Sequence, residues 1–233
     1  MQNYQKWKNW HLENFANASV EENLYFLKLK KKFKLGKDLN VLEIGFGNGA
    51  FLGFSKSVGW NISGVELIPA LFDSAVKNGY KAFHSIHDIP INNKYDLIVA
   101  FDVIEHIEED QLLSFLEKIR NFLHPNGNLI IRVPNGSSPF GLSNQHGDIT
   151  HHSVITENKM DYWARSINLE INYKGGDLFL IYNGKMTKVP SRALKRILQL
   201  LIERLVRWIF SPQSKGFLSA NSMYLLSQKN NES

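Results

Sequence analysis

Apolar runs of strand length alternate with segments of helical spacing through the middle of the chain. Tyr95–Phe101 is almost wholly apolar, as expected of a strand buried on both faces. Glu109–Leu123 places leucine and isoleucine at every third or fourth position, which predicts a helix. The same patterns predict strands at Leu39–Ile44, Asn61–Leu67, Tyr80–His84 and Asn128–Val133, and helices at Ala50–Val58 and Pro69–Asn78. This alternation of strand and helix predicts an α/β fold with a parallel, doubly wound sheet.

The two ends of the chain depart from this alternation. Residues 1–38 are helical in pattern, Pro125–Gly127 predicts a turn, and Asn135–His152 is rich in Gly, Ser, Asn and His and predicts a loop. A helix at Thr156–Ser166 with Thr156 as its N-cap, strands at Leu169–Tyr173 and Phe217–Ser227, and a long helix at Ser191–Phe210 complete the prediction. No linker divides the chain, so we expect a single domain over residues 1–233, with a helical cap (1–38) and a basic helical insertion (185–215) before the last strand.

Composition narrows the class of protein. The 233 residues are 43% hydrophobic and 21% charged, enough apolar surface for a sizeable core. The sequence has no cysteine, which excludes disulfides and a thiol nucleophile and is compatible with a reducing compartment. The polar, aromatic start does not resemble a signal peptide, and no apolar run reaches the roughly 18 residues of a spanning helix. We therefore expect a cytoplasmic protein.

The strongest local signal is the run from Val41 to Gly49, in which a buried strand passes directly into three glycines. Glycines there permit a sharp turn and a close approach of a ligand to the backbone. The spacing is G-x-G-x-G, unlike the G-x-G-x-x-G of dinucleotide binders. Glu43 would repel a pyrophosphate and attract a cationic ligand, and Glu66, at the end of the next strand, can accept both hydroxyls of a ribose. A plain strand-to-helix turn is the structural alternative.

Four segments together resemble the class I S-adenosylmethionine-dependent methyltransferases: Leu42–Gly49, Gly64–Leu67, Tyr95–Ile107 and Leu123–Ile131. The resemblance implies a Rossmann-like three-layer sandwich, with a seven-stranded, mostly parallel sheet and an antiparallel last strand. It also implies S-adenosylmethionine as the cofactor. The family often has an Asp after the third strand that faces the adenine, and this chain has Ser85 and Ile86 at that position. The predicted cofactor-binding residues are Glu43, Gly45, Phe46, Gly47, Gly49, Glu66, Leu67, Ser85, Ile86, Phe101 and Asp102.

Two histidine clusters are candidates for catalysis. Methyl transfer to a hydroxyl benefits from a general base, and imidazole suits that role near neutral pH. His106 follows the fourth strand in a Glu-His pair that resembles the ubiquinone-type O-methyltransferases, although it could simply brace the next helix. His151 and His152 lie in a D-x-T-H-x-x-x-x-T segment that resembles the same branch, and Asp148 could orient either of them.

The second cluster has two other interpretations. Hydrogen bonds of the Asx type could hold it together as a plain loop. His146, Asp148, His151 and His152 could also bind Mn, Fe or Zn, but the close spacing of these ligands on one loop argues against it, and we predict no metal.

The net charge of +5 is concentrated in two segments. Six lysines lie in Lys28–Lys37, and eight basic residues accompany one acid in Lys185–Lys215; such runs are usually solvated faces, with an anionic partner as the alternative. In Ser191–Phe210 the apolar residues recur every third or fourth position and basic residues flank them. This helix could pack internally, form a homodimer contact, or make peripheral contact with the inner face of the membrane.

The leading functional hypothesis is an O-methyltransferase that acts on a hydroxyl of a small molecule or glycan, lipid-linked acceptors included, as in polysaccharide biosynthesis. A nicotinamide-dependent Rossmann enzyme and a non-catalytic cofactor-binding or membrane-associated module are the alternatives. We expect no nucleic-acid partner, because the chain has no N-P-P-Y type motif and no appended recognition domain. Tyr4, Trp7 and Trp10 could cap the cofactor as a lid, or belong to a helix packed on the sheet.

Overall fold

A computed structural model describes residues 12–210 and 216–228. The predicted lid residues, Tyr4, Trp7 and Trp10, lie outside the described residues. The strands are β1 (Asn40–Ile44), β2 (Asn61–Val65), β3 (Lys81–Phe83), β4 (Tyr95–Phe101), β5 (Leu123–Pro134), β6 (Leu169–Gly176) and β7 (Asn221–Gln228). The α-helices are α1 (Val20–Lys32), α2 (Ala50–Ser57), α3 (Pro69–Lys77), α4 (Glu109–Phe122), α5 (Leu142–Gly147), α6 (Glu157–Ser166) and α7 (Val189–Phe210).

The seven strands form one sheet in the order β3-β2-β1-β4-β5-β7-β6. β1 pairs in parallel with β2 and with β4, and Val41 lies beside Ile62 on one side and Leu97 on the other. β2 pairs in parallel with β3, and β6 pairs antiparallel with β7. These pairings confirm the predicted Rossmann-like α/β fold, a mostly parallel sheet with an antiparallel last strand.

The chain divides into two compact units. The first extends to Phe101 and includes Lys118–Leu129, and the second contains Asp102–Glu117 and the chain from Ile130 onward. In the first unit an aromatic cluster packs beside β1 and β4, with Phe26 against Phe51 (ring centroids 5.1 Å apart) and Phe51 against Phe101 (5.4 Å). In the second, Trp163 on α6, Leu169 on β6 and Tyr224 on β7 are buried. The single-domain prediction stays a prediction.

Two local predictions were wrong. The predicted turn at Pro125–Gly127 is part of β5, which runs unbroken to Pro134. A Cβ on Gly127 would lie 2.8 Å from the Tyr95 carbonyl oxygen, so the glycine permits a close backbone approach where we predicted a turn. The predicted loop Asn135–His152 contains α5, whose six residues are too few to produce a helical hydrophobic period.

None of the α-helices within residues 12–210 and 216–228 is long and apolar enough to cross a membrane.

Candidate active site

The glycine loop has left-handed backbone at all three predicted glycines, with φ of 70° at Gly45, 51° at Gly47 and 77° at Gly49. Gly49 is the N-cap of α2, and a Cβ there would meet the Phe15 ring at 2.8 Å. Residues with a side chain rarely adopt such a φ, and at Gly49 there is no space for a Cβ either. The three glycines therefore let the backbone turn sharply from β1 into α2, as the sequence predicted, and each N–H is used within the protein: Gly45 donates to Val65, Gly47 to Glu66 and Gly49 to Phe46.

Residues preceding α1 pack against this loop. The Ala16 N–H donates to the Asn48 carbonyl at 2.8 Å, and the Phe15 ring lies edge-on to that of Phe46, with centroids 6.0 Å apart. A Cβ at Gly53 would lie 1.8 Å from the Ala16 carbonyl oxygen, so the first turns of α2 touch this segment backbone to backbone. The loop is therefore supported from behind.

Glu66 ties the loop to the end of β2. It is 6% exposed, and its carboxylate accepts the Gly47 N–H at 2.9 Å and the Ile68 N–H at 3.0 Å. Burial raises the pKa of Glu66, while these backbone N–H groups lower it. A carboxylate has about four lone-pair sites, so Glu66 keeps acceptor capacity for the predicted ribose.

Glu43 is a buried acid with unused hydrogen-bonding capacity. It is 4% exposed, and its Oε2 accepts no hydrogen bond from any residue that the structure describes. Burial, and secondly the charge of Glu66, raise the pKa of Glu43 well above its usual value, against a smaller opposing effect of the Leu52 N–H. A buried carboxylate without a partner is costly. Glu43 therefore fits a ligand that brings a positive charge, such as the sulfonium or amino group of S-adenosylmethionine.

The other predicted cofactor residues of this unit differ in exposure. Leu67 is 70% exposed, whereas Phe46, Ile86 and the half-buried Phe101 pack among neighbouring side chains. Phe46 fills the space beside Gly64, where a Cβ would meet its ring at 2.4 Å. At the predicted adenine position, the Ser85 N–H donates to Asp88 at 2.9 Å and the Ser85 hydroxyl accepts the His87 N–H. The role of these residues toward the cofactor stays a prediction.

Asp102 has an unusual backbone conformation, with φ of 56° directly after β4. Its N–H donates to the Arg132 carbonyl at 2.8 Å, and its carboxylate accepts two hydrogen bonds from the Arg132 guanidinium. Left-handed non-glycine residues recur at functional sites and are favoured when the residue is Asp or Asn. The structure therefore gives Asp102 a partner that the sequence analysis missed, because Arg132 lies in the interior of β5 and carries no motif.

His106 is held from the loop after α5. Its Nδ1 lies 3.0 Å from both the carbonyl oxygen and the hydroxyl of Thr150. That hydroxyl donates to Asp148 at 2.6 Å. A carbonyl only accepts, so Nδ1 carries the proton and Nε2 has the lone pair in the neutral ring. Asp148 thus contacts His106 through Thr150.

His151 has its Nδ1 2.9 Å from the Gln145 carbonyl oxygen, which again places the proton on Nδ1. Its Nε2 is 3.6 Å from a carboxylate oxygen of Asp148 and 3.9 Å from one of Glu105, and the side chain is 6% exposed. The rings of His106 and His151 lie 4.6 Å apart between centroids. The two predicted clusters therefore form one histidine pair, flanked by two buried acids.

The other two candidate histidines have different surroundings. His152 is about half exposed, and its Nδ1 lies 3.1 Å from a carboxylate oxygen of the exposed Glu108. His146 is exposed on α5. The group within the described residues whose atoms could hold a metal ion is Glu105, His106 and His151, whose candidate ligand atoms lie within 4.8 Å of one another. This group shares only His151 with the candidate metal ligands that the sequence places on the loop, which are His146, Asp148, His151 and His152.

Two contributors to the histidine pair had weak sequence signals. In the sequence, Glu105 stands out only as part of the Glu-His pair, yet it is fully buried, and its carbonyl oxygen accepts the His152 and Ser153 N–H groups. Gln145 acts through its backbone carbonyl, while its side-chain amide donates to the Ser153 carbonyl at 3.1 Å. A contact made by a carbonyl leaves no trace in residue type, so only the structure reveals it.

Comparison with known proteins identifies the family of the chain. A family model described as "Methyltransferase domain" matches residues 7–201. An uncharacterised protein of Methanocaldococcus jannaschii is 32% identical over 128 residues, 54% of each chain, and the ubiquinone biosynthesis O-methyltransferase of Rickettsia bellii is 25% identical over 125 residues, 50% of each chain. The chain thus spans about half the length of these curated relatives.

The fold has counterparts among solved structures. A SAM-dependent methyltransferase from Archaeoglobus fulgidus superimposes with a TM-score of 0.61, covering 90% of this chain and 95% of that one at 18% identity. At this identity the likeness shows the fold, and the family match covers well over half of the sequence. The chain therefore belongs to the methyltransferase domain family, and it has the class I fold of S-adenosylmethionine-dependent methyltransferases.

Proposed function

We propose that the protein transfers the methyl group of S-adenosylmethionine to a hydroxyl of a small molecule or glycan, with a lipid-linked acceptor included. The observation that carries this proposal is the histidine pair. The Thr150 carbonyl contacts Nδ1 of His106, and the Gln145 carbonyl contacts Nδ1 of His151. Each ring thereby presents Nε2 as its proton acceptor. A hydroxyl needs such a base far more than an amine or a thiolate does.

Cofactor binding and proton transfer are assigned to different residues of the chain. Bound S-adenosylmethionine supplies a methyl group on a positively charged sulfur. Glu43 offers an unpaired carboxylate oxygen to a cation, and Glu66 holds the glycine loop while retaining acceptor capacity for hydroxyls. A histidine Nε2 would take the acceptor's proton as the acceptor oxygen attacks the methyl carbon and the bond between that carbon and the cofactor sulfur breaks. The proton would end on imidazole, and the products would be a methyl ether and the demethylated cofactor.

Either histidine of the pair has features of a base. His106 is oriented through Thr150 by Asp148, an arrangement that sets its tautomer. His151 has its Nε2 within 4 Å of a carboxylate oxygen of Asp148 and of Glu105, which hold the ring in place. The proposal therefore assigns the base to this pair, with Asp148 as the positioning carboxylate and the exposed His152 as an alternative.

The acceptor class and location are supported by likeness and composition. The relative from Rickettsia bellii is named as a ubiquinone biosynthesis O-methyltransferase, and the Glu-His pair resembles that branch. The absence of cysteine is compatible with the cytoplasm, where we place the enzyme, with its acceptors at the inner face of the membrane. Glycan acceptors of polysaccharide biosynthesis belong to the same proposal.

The test is single-turnover methylation with S-adenosylmethionine labelled in its methyl group. The acceptors are a panel of dihydroxybenzoates, hexoses and matched amines, with products identified by mass spectrometry. We expect methyl ethers, and a loss of about 10²–10⁴ in rate for His106→Gln or His151→Gln with unchanged cofactor affinity. His124→Gln, an exposed histidine on β5, is the matched control.

Other outcomes would contradict parts of the proposal. Methylation of amines alone would refute the hydroxyl acceptor. If methyl ethers form at the same rate in both histidine variants, neither ring is the base. If a chelator abolishes activity and Mg²⁺ or Zn²⁺ restores it, then Glu105, His106 and His151 are metal ligands, and the general-base assignment is wrong.

A further inference from the structure

In helix α7, Val189–Phe210, the polar face is sheltered and the apolar face is exposed, the reverse of a helix that packs into a core. Its half-sheltered positions are mostly polar: Arg192, Arg196, Gln199, Glu203 and Arg207 recur every third or fourth residue and share one face. None of its 22 residues is buried. Internal packing, one of the three interpretations of this helix, would instead require the apolar face to be the sheltered one.

Specific contacts hold the polar face. The Arg192 Nε donates to the Leu180 carbonyl at 2.7 Å, and the guanidinium groups of Arg192 and Arg196 each lie 5.5 Å from the centre of the Phe179 ring. Arg207 pairs with Glu203 one turn away at 2.9 Å. The basic residues on this side are therefore occupied, and the contacts turn the opposite side of the helix outward.

The outward face is a continuous apolar stripe. Leu201 is 53% exposed and Trp208 82% exposed. The stripe consists of Leu194, Ile197, Leu198, Leu201, Ile202, Leu205, Trp208 and Ile209. Lys195 and Arg204 are exposed beside the stripe. The two residues are nine positions apart, which is about two and a half helical turns, so they lie on opposite borders of the stripe. Within the described part of the chain, neither makes an ion pair.

We propose that α7 lies on an anionic phospholipid surface, with its apolar stripe among the acyl chains and Lys195 and Arg204 at the headgroups. An apolar face bordered by cations and ending in Trp and Phe is the pattern of interfacial helices. Long basic side chains at the borders can keep their charge at the lipid phosphates while their stems cover apolar surface. This inference goes beyond the proposed function and does not depend on the acceptor.

Charge favours lipid over a second copy of the chain. Residues 189–210 carry five basic side chains and one acidic one. A two-fold contact through the stripe would place the border cations of two identical helices along the same interface with no acidic partner among them, and like charges repel. An anionic surface neutralises the same cations, and each basic residue near such a surface strengthens binding about fivefold.

The experiment measures cosedimentation of the full chain with vesicles of phosphatidylcholine alone and of phosphatidylcholine with 30% phosphatidylglycerol. We expect binding to the anionic vesicles, weakened by salt. Leu201→Gln/Leu205→Gln should abolish it, and Lys195→Gln/Arg204→Gln should weaken it about 30-fold. The controls are Val76→Gln/Ile91→Gln, exposed apolar residues of the other unit, and Lys31→Gln/Lys77→Gln, exposed lysines there. Retained S-adenosylmethionine binding shows that each variant is folded.

Three outcomes would overturn the proposal. The first is no binding to anionic vesicles at low salt. The second is an equal loss of binding in the lysine control, which would assign the attraction to net charge alone. The third is a concentration-dependent dimer in sedimentation without vesicles, lost in Leu201→Gln/Leu205→Gln and accompanied by no vesicle binding, which would assign the stripe to a second copy of the chain.

Discussion

Replacing Glu43 by glutamine should have two opposite effects: a more stable protein without cofactor, and weaker cofactor binding. Glu43 is almost fully buried, its Oε2 accepts no hydrogen bond within the described chain, and burial raises its pKa. The carboxylate is therefore unfavourable in the empty site and favourable beside a cation. Glutamine keeps the shape of the side chain and removes the charge.

The stability effect should depend on pH with a definite sign. The folded protein binds the Glu43 proton more tightly than the unfolded chain does, because the pKa is raised on folding. Ionisation therefore costs the wild type stability as the pH rises from the ordinary carboxyl range through the raised pKa. The advantage of Glu43→Gln should be absent at low pH, grow across this range and level off above the raised pKa.

The expected magnitudes follow from burial and charge. An unsatisfied buried polar group costs about 1–3 kcal/mol. The glutamine amide stays buried, so we take the lower end, about 1 kcal/mol, which corresponds to a rise in Tm of about 2–4 °C for a chain of this length. A lost charge-assisted hydrogen bond of about 1.5–3 kcal/mol weakens S-adenosylmethionine binding about 10- to 150-fold.

The assay is calorimetry: thermal unfolding at pH 5 and pH 8 without ligand, and titration with S-adenosylmethionine at pH 8. Glu117→Gln is the matched control, because Glu117 is an exposed glutamate on α4, and we expect no change in either measurement. A variant that is less stable than the wild type at pH 8 yet binds the cofactor with unchanged affinity would refute the reasoning.

Three further predictions concern the glycine loop and α1. Glu66→Ala should weaken S-adenosylmethionine binding tenfold or more in titration calorimetry, because the Gly47 N–H loses its acceptor and the ribose loses a charge-assisted partner. Gly53→Ala should lower the free energy of unfolding by about 3 kcal/mol in urea titration, since its Cβ would meet the Ala16 backbone carbonyl at 1.8 Å. Ser19→Ala should cost about 1 kcal/mol by removing the N-cap of α1.

Each of these predictions has its own control and contrary result. Unchanged cofactor affinity in folded Glu66→Ala would exclude Glu66 from the ribose site. Gly147→Ala is matched to Gly53→Ala, because a Cβ there meets nothing within 4 Å, and equal losses in the two variants would contradict the steric argument. Ser57→Ala, on a hydroxyl that donates to a helix carbonyl, should cost less than Ser19→Ala.

The sequence by itself determined the fold and the conformation of the glycine loop. Period-two and period-3.6 patterns are local, so strands and helices could be predicted from neighbouring residues, and β4 has the predicted bounds, Tyr95–Phe101. The glycine loop was equally predictable, because a left-handed backbone narrows the choice of residue at Gly45, Gly47 and Gly49. The Thr156 N-cap is likewise confirmed, since its side chain accepts the Lys159 N–H.

Only the tertiary structure decided how the histidines combine and which way α7 faces. His106 and Thr150 are 44 residues apart in the chain, and the Gln145 contact is made by a backbone carbonyl, whose chemistry is the same in every residue. The periodicity of α7 shows that the helix is amphipathic, but it does not show whether the apolar face is turned toward the protein or away from it. The contacts of Arg192 and Arg196 with Phe179 show that the polar face is the one turned toward the protein. These contacts depend on packing between segments that no local pattern encodes.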